Sequence, residues 1–125
     1  MRLIISGSRD LTIPTVELNQ IIEIAGFKPT EIVSGAARGI DLCGEKWAVD
    51  NQVHVARFPA DWDKYGPAAG PIRNKEMAEY GDALLAFPGV GKGTWGMINL
   101  MREADKPYKV FSLSKGMFLE EWELE

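Results

Sequence analysis

Five short runs rich in β-branched and apolar residues, each followed by a stretch of helical or glycine-rich character, constrain this chain more than any other feature. The runs are Arg2 to Ser6, Glu31 to Ser34, Val53 to Phe58, Ala83 to Phe87 and Tyr108 to Ser112. Between them, amphipathic stretches predict helices from about Pro14 to Ala25, Gly39 to Asp50, Ala69 to Tyr80 and Thr94 to Ala104. This alternation predicts successive βα units: an α/β, Rossmann-like three-layer fold with a mainly parallel five-stranded sheet. Thr12 is placed to cap the first helix, Pro14 suits its first turn and Gly26 its end. A length of 125 residues with 46% hydrophobic content fits one domain over 1–125, the last part, 113–125, reading as an acidic and aromatic tail.

Several classes fall away at once. Cys43 is the single cysteine and His54 the single histidine, too few for a disulfide framework or a structural zinc site, so no metal is expected. No run reaches the roughly 18 apolar residues of a membrane helix, and Leu3-Ile4-Ile5 breaks at once into Ser6-Gly7-Ser8-Arg9-Asp10. The expectation is a cytoplasmic chain with no membrane partner and no signal peptide. Net charge at pH 7 is −4, yet Glu120, Glu121, Glu123 and Glu125 alone carry four negative charges in the last six residues, which leaves the body neutral and free to hold a basic pocket.

In a parallel sheet all strand ends open on one edge, where ligands bind. The unusual residues follow those ends: Gly7-Ser8-Arg9-Asp10, Gly35-Ala36-Ala37-Arg38-Gly39-Ile40-Asp41, Pro59-Ala60-Asp61-Trp62 and Pro88-Gly89-Val90-Gly91-Lys92-Gly93-Thr94. Gly35, Ala36 and Gly39 allow close backbone approach, the helix start offers free N–H groups and Arg38 adds a charged fork, which together make an anion cradle. The alternative is a tight turn with Arg38 solvated. The fourth loop supplies a second row of amides and the Thr94 hydroxyl. It lacks the Walker sequence, because Gly93 separates Lys92 from Thr94, and the first loop lacks G-x-G-x-x-G. Arg73 and Asn74, near the start of the third helix, suit a phosphate and a ribose or base edge, or else form an exposed pair with a capping role.

Asp10, Asp41, Asp61 and Asp63 are the carboxylates best placed for acid–base work or for sugar hydroxyls. Asp41 equally suits the positive end of its helix, and Asp10 a turn. Trp62 and Tyr65 offer faces for a base or anchors for the long Pro59–Ala68 loop, while His54, Cys43 and Trp47 read as structural.

Ile5 to Asp10, Ser34 to Asp41, Phe58 to Trp62, Ala69 to Asn74 and Ala86 to Thr94, spread in order over most of the chain, resemble the SLOG superfamily, in particular its YspA/cpYpsA-related group. The resemblance implies a nucleotide or nucleotide-derived ligand at the strand ends. That superfamily is similar to the LONELY GUY phosphoribohydrolases, which cleave the N-glycosidic bond of nucleoside monophosphates, and to the DNA-processing protein A family, which binds single-stranded DNA; other members sense nucleotide signals. The phosphoribohydrolases carry a glutamate soon after the P-G-G-x-G-T loop, where this chain has Met97. Methionine moves no proton, so Asp61 or Asp10, with Arg73, becomes the expected catalytic set for hydrolysis.

The expected ligand contacts are Gly7, Ser8, Arg9, Gly35, Ala36, Arg38, Gly39, Asp41, Trp62, Asn74, Pro88, Gly89, Gly91, Gly93 and Thr94, with no additional cofactor. The competing expectation is a sensor or sequestering module that binds without turnover. The acidic balance makes single-stranded DNA the least favoured ligand. Trp95, Met97 and Met101 lie along one helix, where they either fill the core or meet a second copy in a homodimer.

Overall fold

The computed structural model describes residues 1–114 and 117–121, with 113–114 and 117–121 described by backbone. Five parallel strands form the sheet, β1 (Arg2–Gly7), β2 (Glu31–Ser34), β3 (His54–Arg57), β4 (Ala83–Phe87) and β5 (Tyr108–Ser114), in the order β3-β2-β1-β4-β5. A sixth strand, β6 (Met117–Glu121), adds antiparallel to β5. Part of the acidic tail expected over 113–125 is therefore strand: β5 runs on to Ser114 and the chain returns beside it. Residues 122–125 of that tail lie outside the described residues.

The apolar residues of the central strands β1, β2 and β4 are buried on both faces, as a parallel sheet between two helical layers requires, while the edge strand β3 is half-buried to exposed. Leu3, Ile5, Ile32, Leu85 and Phe87 point toward α1 (Thr15–Ala25) and α2 (Ile40–Asp50), meeting Leu18, Ile21, Ile22 and Trp47. Ile4, Val33, Leu84 and Ala86 point to the opposite face, onto Met77 of α4 (Ala69–Tyr80) and Met97, Ile98 and Met101 of α5 (Gly93–Glu103). Met97 and Met101 are thus spent on the core, and Trp95 packs partly buried against it. This removes those two methionines from any surface offered to a second copy.

Two local expectations need correction. Thr12 does not cap α1: the N-cap position is Pro14, whose carbonyl accepts the first helical bond from the Leu18 N–H at 3.0 Å, and no side chain caps the end. The Pro59–Ala68 connection is not irregular throughout, since α3 (Trp62–Tyr65) and a 3-10 turn (Gly66–Ala68) occupy everything after Asp61. A four-residue helix shows no periodicity in sequence. No described helix is long and apolar enough to cross a membrane.

Strand order reverses between β1 and β4. The loops leaving these two strands diverge to opposite layers and open a crevice at the carboxyl edge, the usual ligand position in an open α/β sheet.

Candidate functional site: a glycine-walled cleft at the β1/β4 switch

The crevice is a cleft of about 350 Å³. Its walls bring together Gly7 at the end of β1 with Ser8, Arg9 and Asp10 after it, Gly35 after β2 with Asp41 in the first turn of α2, Arg73 and Asn74 of α4, and Gly89 and Gly91 after β4 with Gly93 and Thr94 at the start of α5. Main-chain bonds lock these loops in register. The Ser8 N–H donates to the Phe87 carbonyl at 3.0 Å, and the Ile40 N–H to the Ser8 carbonyl at 3.1 Å.

The β2–α2 connection is held in an unusual shape. Ala36 has φ 61°, a left-handed conformation costly for a residue with a Cβ. Ser34, fully buried, supports it by accepting the Ala36 N–H at 3.0 Å while donating to Glu45 Oε2 at 2.6 Å. Arg57 Nε in turn lies 3.1 Å from Glu45 Oε1. Gly39, with φ 80°, lets the chain turn into α2 so close to the first loop that a Cβ would stand 2.4 Å from the Ser8 carbonyl oxygen. Gly39 thus positions the site rather than lining it.

Arg73 and Asp41 face each other across Gly35. A Cβ on Gly35 would fall 2.7 Å from both Arg73 Nη1 and Asp41 Oδ2. Arg73 Nη1 donates to the Gly35 carbonyl at 2.6 Å, and its Nε donates to Asn74 Oδ1 at 3.0 Å. The Asn74 amide then donates to the Gly93 carbonyl at 3.2 Å, so this dipeptide of α4 ties both glycine-rich loops together. Burial lowers the Arg73 pKa from its ordinary value, and the Asp41 charge offsets part of that shift. Asp41, only 5% exposed, accepts the Ala37 N–H at 3.3 Å. Burial raises its pKa to about 6, against lowering by the Ala37 amide and the Arg73 charge.

A second cleft of about 330 Å³ adjoins the first, lined by Arg9, Gly35, Ala36, Ala37, Arg38, Pro59, Ala60, Trp62 and Arg73. Arg9, Gly35, Ala37 and Arg73 belong to both. Ala36, Arg38 and Trp62, expected as ligand contacts, therefore line this neighbour and not the main cleft.

Other expected residues go elsewhere. The Asp61 carboxylate lines neither cleft; it accepts the Lys64 N–H at 3.1 Å and so caps α3, leaving Asp10 and Asp41 as the carboxylates of the main cleft. Pro88 is buried and lines neither cleft. Arg38 is spent on Asp10 in an ion pair of 3.2 Å with side chains 72% and 73% exposed, a contact worth little to stability in water. The sequence reading missed Ser34, Glu45 and Arg57. The available signals were Ser34 directly before Gly35 and Glu45 one turn beyond Asp41; Arg57 left none, since its contact exists only after β2 and β3 pair.

Comparisons with known proteins agree with this architecture. The structure of DNA processing protein A from Streptococcus pneumoniae matches with a TM-score of 0.62 at 18% identity, covering 89% of this chain and 49% of that one. This chain thus spans about half the length of that protein, and the likeness concerns the fold. Gene 61 protein of Mycobacterium phage D29 is 34% identical over 117 residues, covering 84% of this chain and 89% of the phage protein. A family model described as YspA, cpYpsA-related SLOG matches residues 1–65, which carry the first two loops of the cleft. By its sequence, and with a parallel sheet and site position that agree, the chain belongs to the YspA, cpYpsA-related SLOG family.

Proposed function

We propose that this chain binds a nucleotide or nucleotide-derived molecule in the main cleft. The observation that carries the reading is the convergence of residues 35–41 and 89–94 on one space with Arg73 between them. Phosphate oxygens would lie on the amides of Gly91, Gly93 and Thr94 at the start of α5, where the helix dipole favours negative charge. Arg73 adds a half-buried cation, and unlike Arg38 it makes no ion pair with a carboxylate among the described residues. Asp41 sits deeper and would accept from ribose hydroxyls or a base amino group, since its anionic form repels phosphate.

Binding without turnover is the reading the chemistry favours. Met97 lies fully buried in the core, so α5 offers no carboxylate to the cleft at that position. A second reading, hydrolysis of an N-glycosidic bond, draws on Asp41: a carboxyl that exchanges its proton near pH 6 can assist water or a departing base. Incubation of the purified chain with the four nucleoside 5′-monophosphates separates the two. A rise in melting temperature with no free base by chromatography is the expected result; released base establishes hydrolysis, and neither effect removes the nucleotide reading for these ligands. Arg73→Ala is expected to abolish the shift and also to lower the melting temperature of the free chain, because its hydrogen bond to the Gly35 carbonyl is lost.

A further inference from the structure

The second cleft has a composition unlike the surface around it. Three arginines, Arg9, Arg38 and Arg73, line it and no acidic side chain does, on a chain whose net charge is −4. The nearest carboxylates already have partners: Asp10 is on Arg38, Asp41 accepts the Ala37 amide on the main-cleft side of Gly35, and Asp61 accepts the Lys64 amide. Its far wall is Trp62, a large aromatic left 48% exposed, with the indole edge against α4 at Gly70. The Arg9 guanidinium lies 5.7 Å from the centre of that ring. An exposed aromatic face beside Arg9 and Arg73, neither of them in an ion pair with a carboxylate among the described residues, is the arrangement that holds a base by stacking and a phosphate by charge.

The two clefts are also matched in size, about 350 and 330 Å³, each near the lower end of the range of small-ligand sites. They meet along Arg9, Gly35, Ala37 and Arg73. Resting on the nucleotide reading of the main cleft, we infer that the second cleft is a subsite for a second nucleotide unit, its base stacked on Trp62 and the linking phosphate lying on Arg9 and Arg73. The ligand is then two nucleotides long at minimum. The same chemistry is offered by a free dinucleotide and by a stretch of single-stranded nucleic acid.

The test measures dissociation constants of the full chain for the four nucleoside 5′-monophosphates, the four matching 5′-phosphorylated homodinucleotides and a ten-nucleotide mixed-sequence single strand. At least one dinucleotide is expected to bind tenfold or more tightly than its monophosphate. Trp62→Ala should remove that advantage and leave monophosphate affinity unchanged, and Trp62→Phe should restore part of it. Should Trp62→Ala fail to fold, the indole N–H resonance of Trp62 in the unaltered chain serves instead: it is expected to shift with the dinucleotide and not with the monophosphate. A further gain with the ten-mer assigns the ligand to single strands, and no gain assigns it to free dinucleotides. Monophosphate binding with no dinucleotide advantage, or equal loss of both in Trp62→Ala, overturns this inference alone. Absence of all binding overturns it together with the nucleotide reading.

Discussion

At Asp41, burial and hydrogen bonding pull in opposite directions, and burial dominates. The native carboxyl keeps its proton to about pH 6, whereas the ordinary value is 3.8. Across that window the native state binds more protons than the unfolded chain, so this group's contribution makes stability fall as pH rises from about 4 to 6. The full effect of a shift this large is about 3 kcal/mol. Asp41→Asn, which keeps an oxygen to accept the Ala37 amide, is expected to gain on the unaltered chain by up to that amount between pH 4 and pH 8, as read by urea unfolding at several pH values. A constant difference across the range would show that Asp41 titrates normally. Carboxyl groups desolvated in this way cluster at functional sites, which agrees with the role proposed for Asp41 in the main cleft.

Elements were legible in the sequence to the extent that local pattern determines them. The strands and long helices lie within about two residues of the expected limits, most firmly where both faces of a central strand are buried and its apolar run is continuous, as in β4. The glycine-rich loops were legible for a similar reason: Gly35 and Gly39 stand where no Cβ fits. What pattern does not carry is partnership. Arg38, expected as an anion fork, pairs with Asp10 in this structure, and Asp61, expected as catalytic, accepts the Lys64 amide at the start of α3. The Ser34–Glu45–Arg57 chain beneath the second loop joins β2, α2 and β3, and it exists only after they assemble. Ser34→Ala leaves the Ala36 amide and the Glu45 carboxylate each short of a partner, with an expected loss of about 1–3 kcal/mol in chemical denaturation. Ligand affinity should fall with it, since Ala36 keeps its left-handed backbone only against that support. Unchanged affinity would separate the loop's shape from binding.

For the whole molecule, a single sheet carries one hydrophobic cluster on each face, so neither helical layer has an apolar surface of its own to retain if the sheet opens. One cooperative domain over 1–125 is the corresponding proposal, and it predicts coincident unfolding curves by far-ultraviolet circular dichroism and by tryptophan fluorescence. Two separated transitions would contradict it. The cleft depends on the same integrity, because its walls come from β1, β2, α4 and the start of α5 and share no continuous segment. The most direct measurement is therefore an amide chemical-shift titration of the labelled chain with each nucleoside 5′-monophosphate. The amides of residues 35–37 and 89–94 are expected to move together along one saturating curve, with those at the opposite sheet edge, such as Asp82, unmoved. Shifts confined to one of the two loops, or centred away from both, would contradict a shared site.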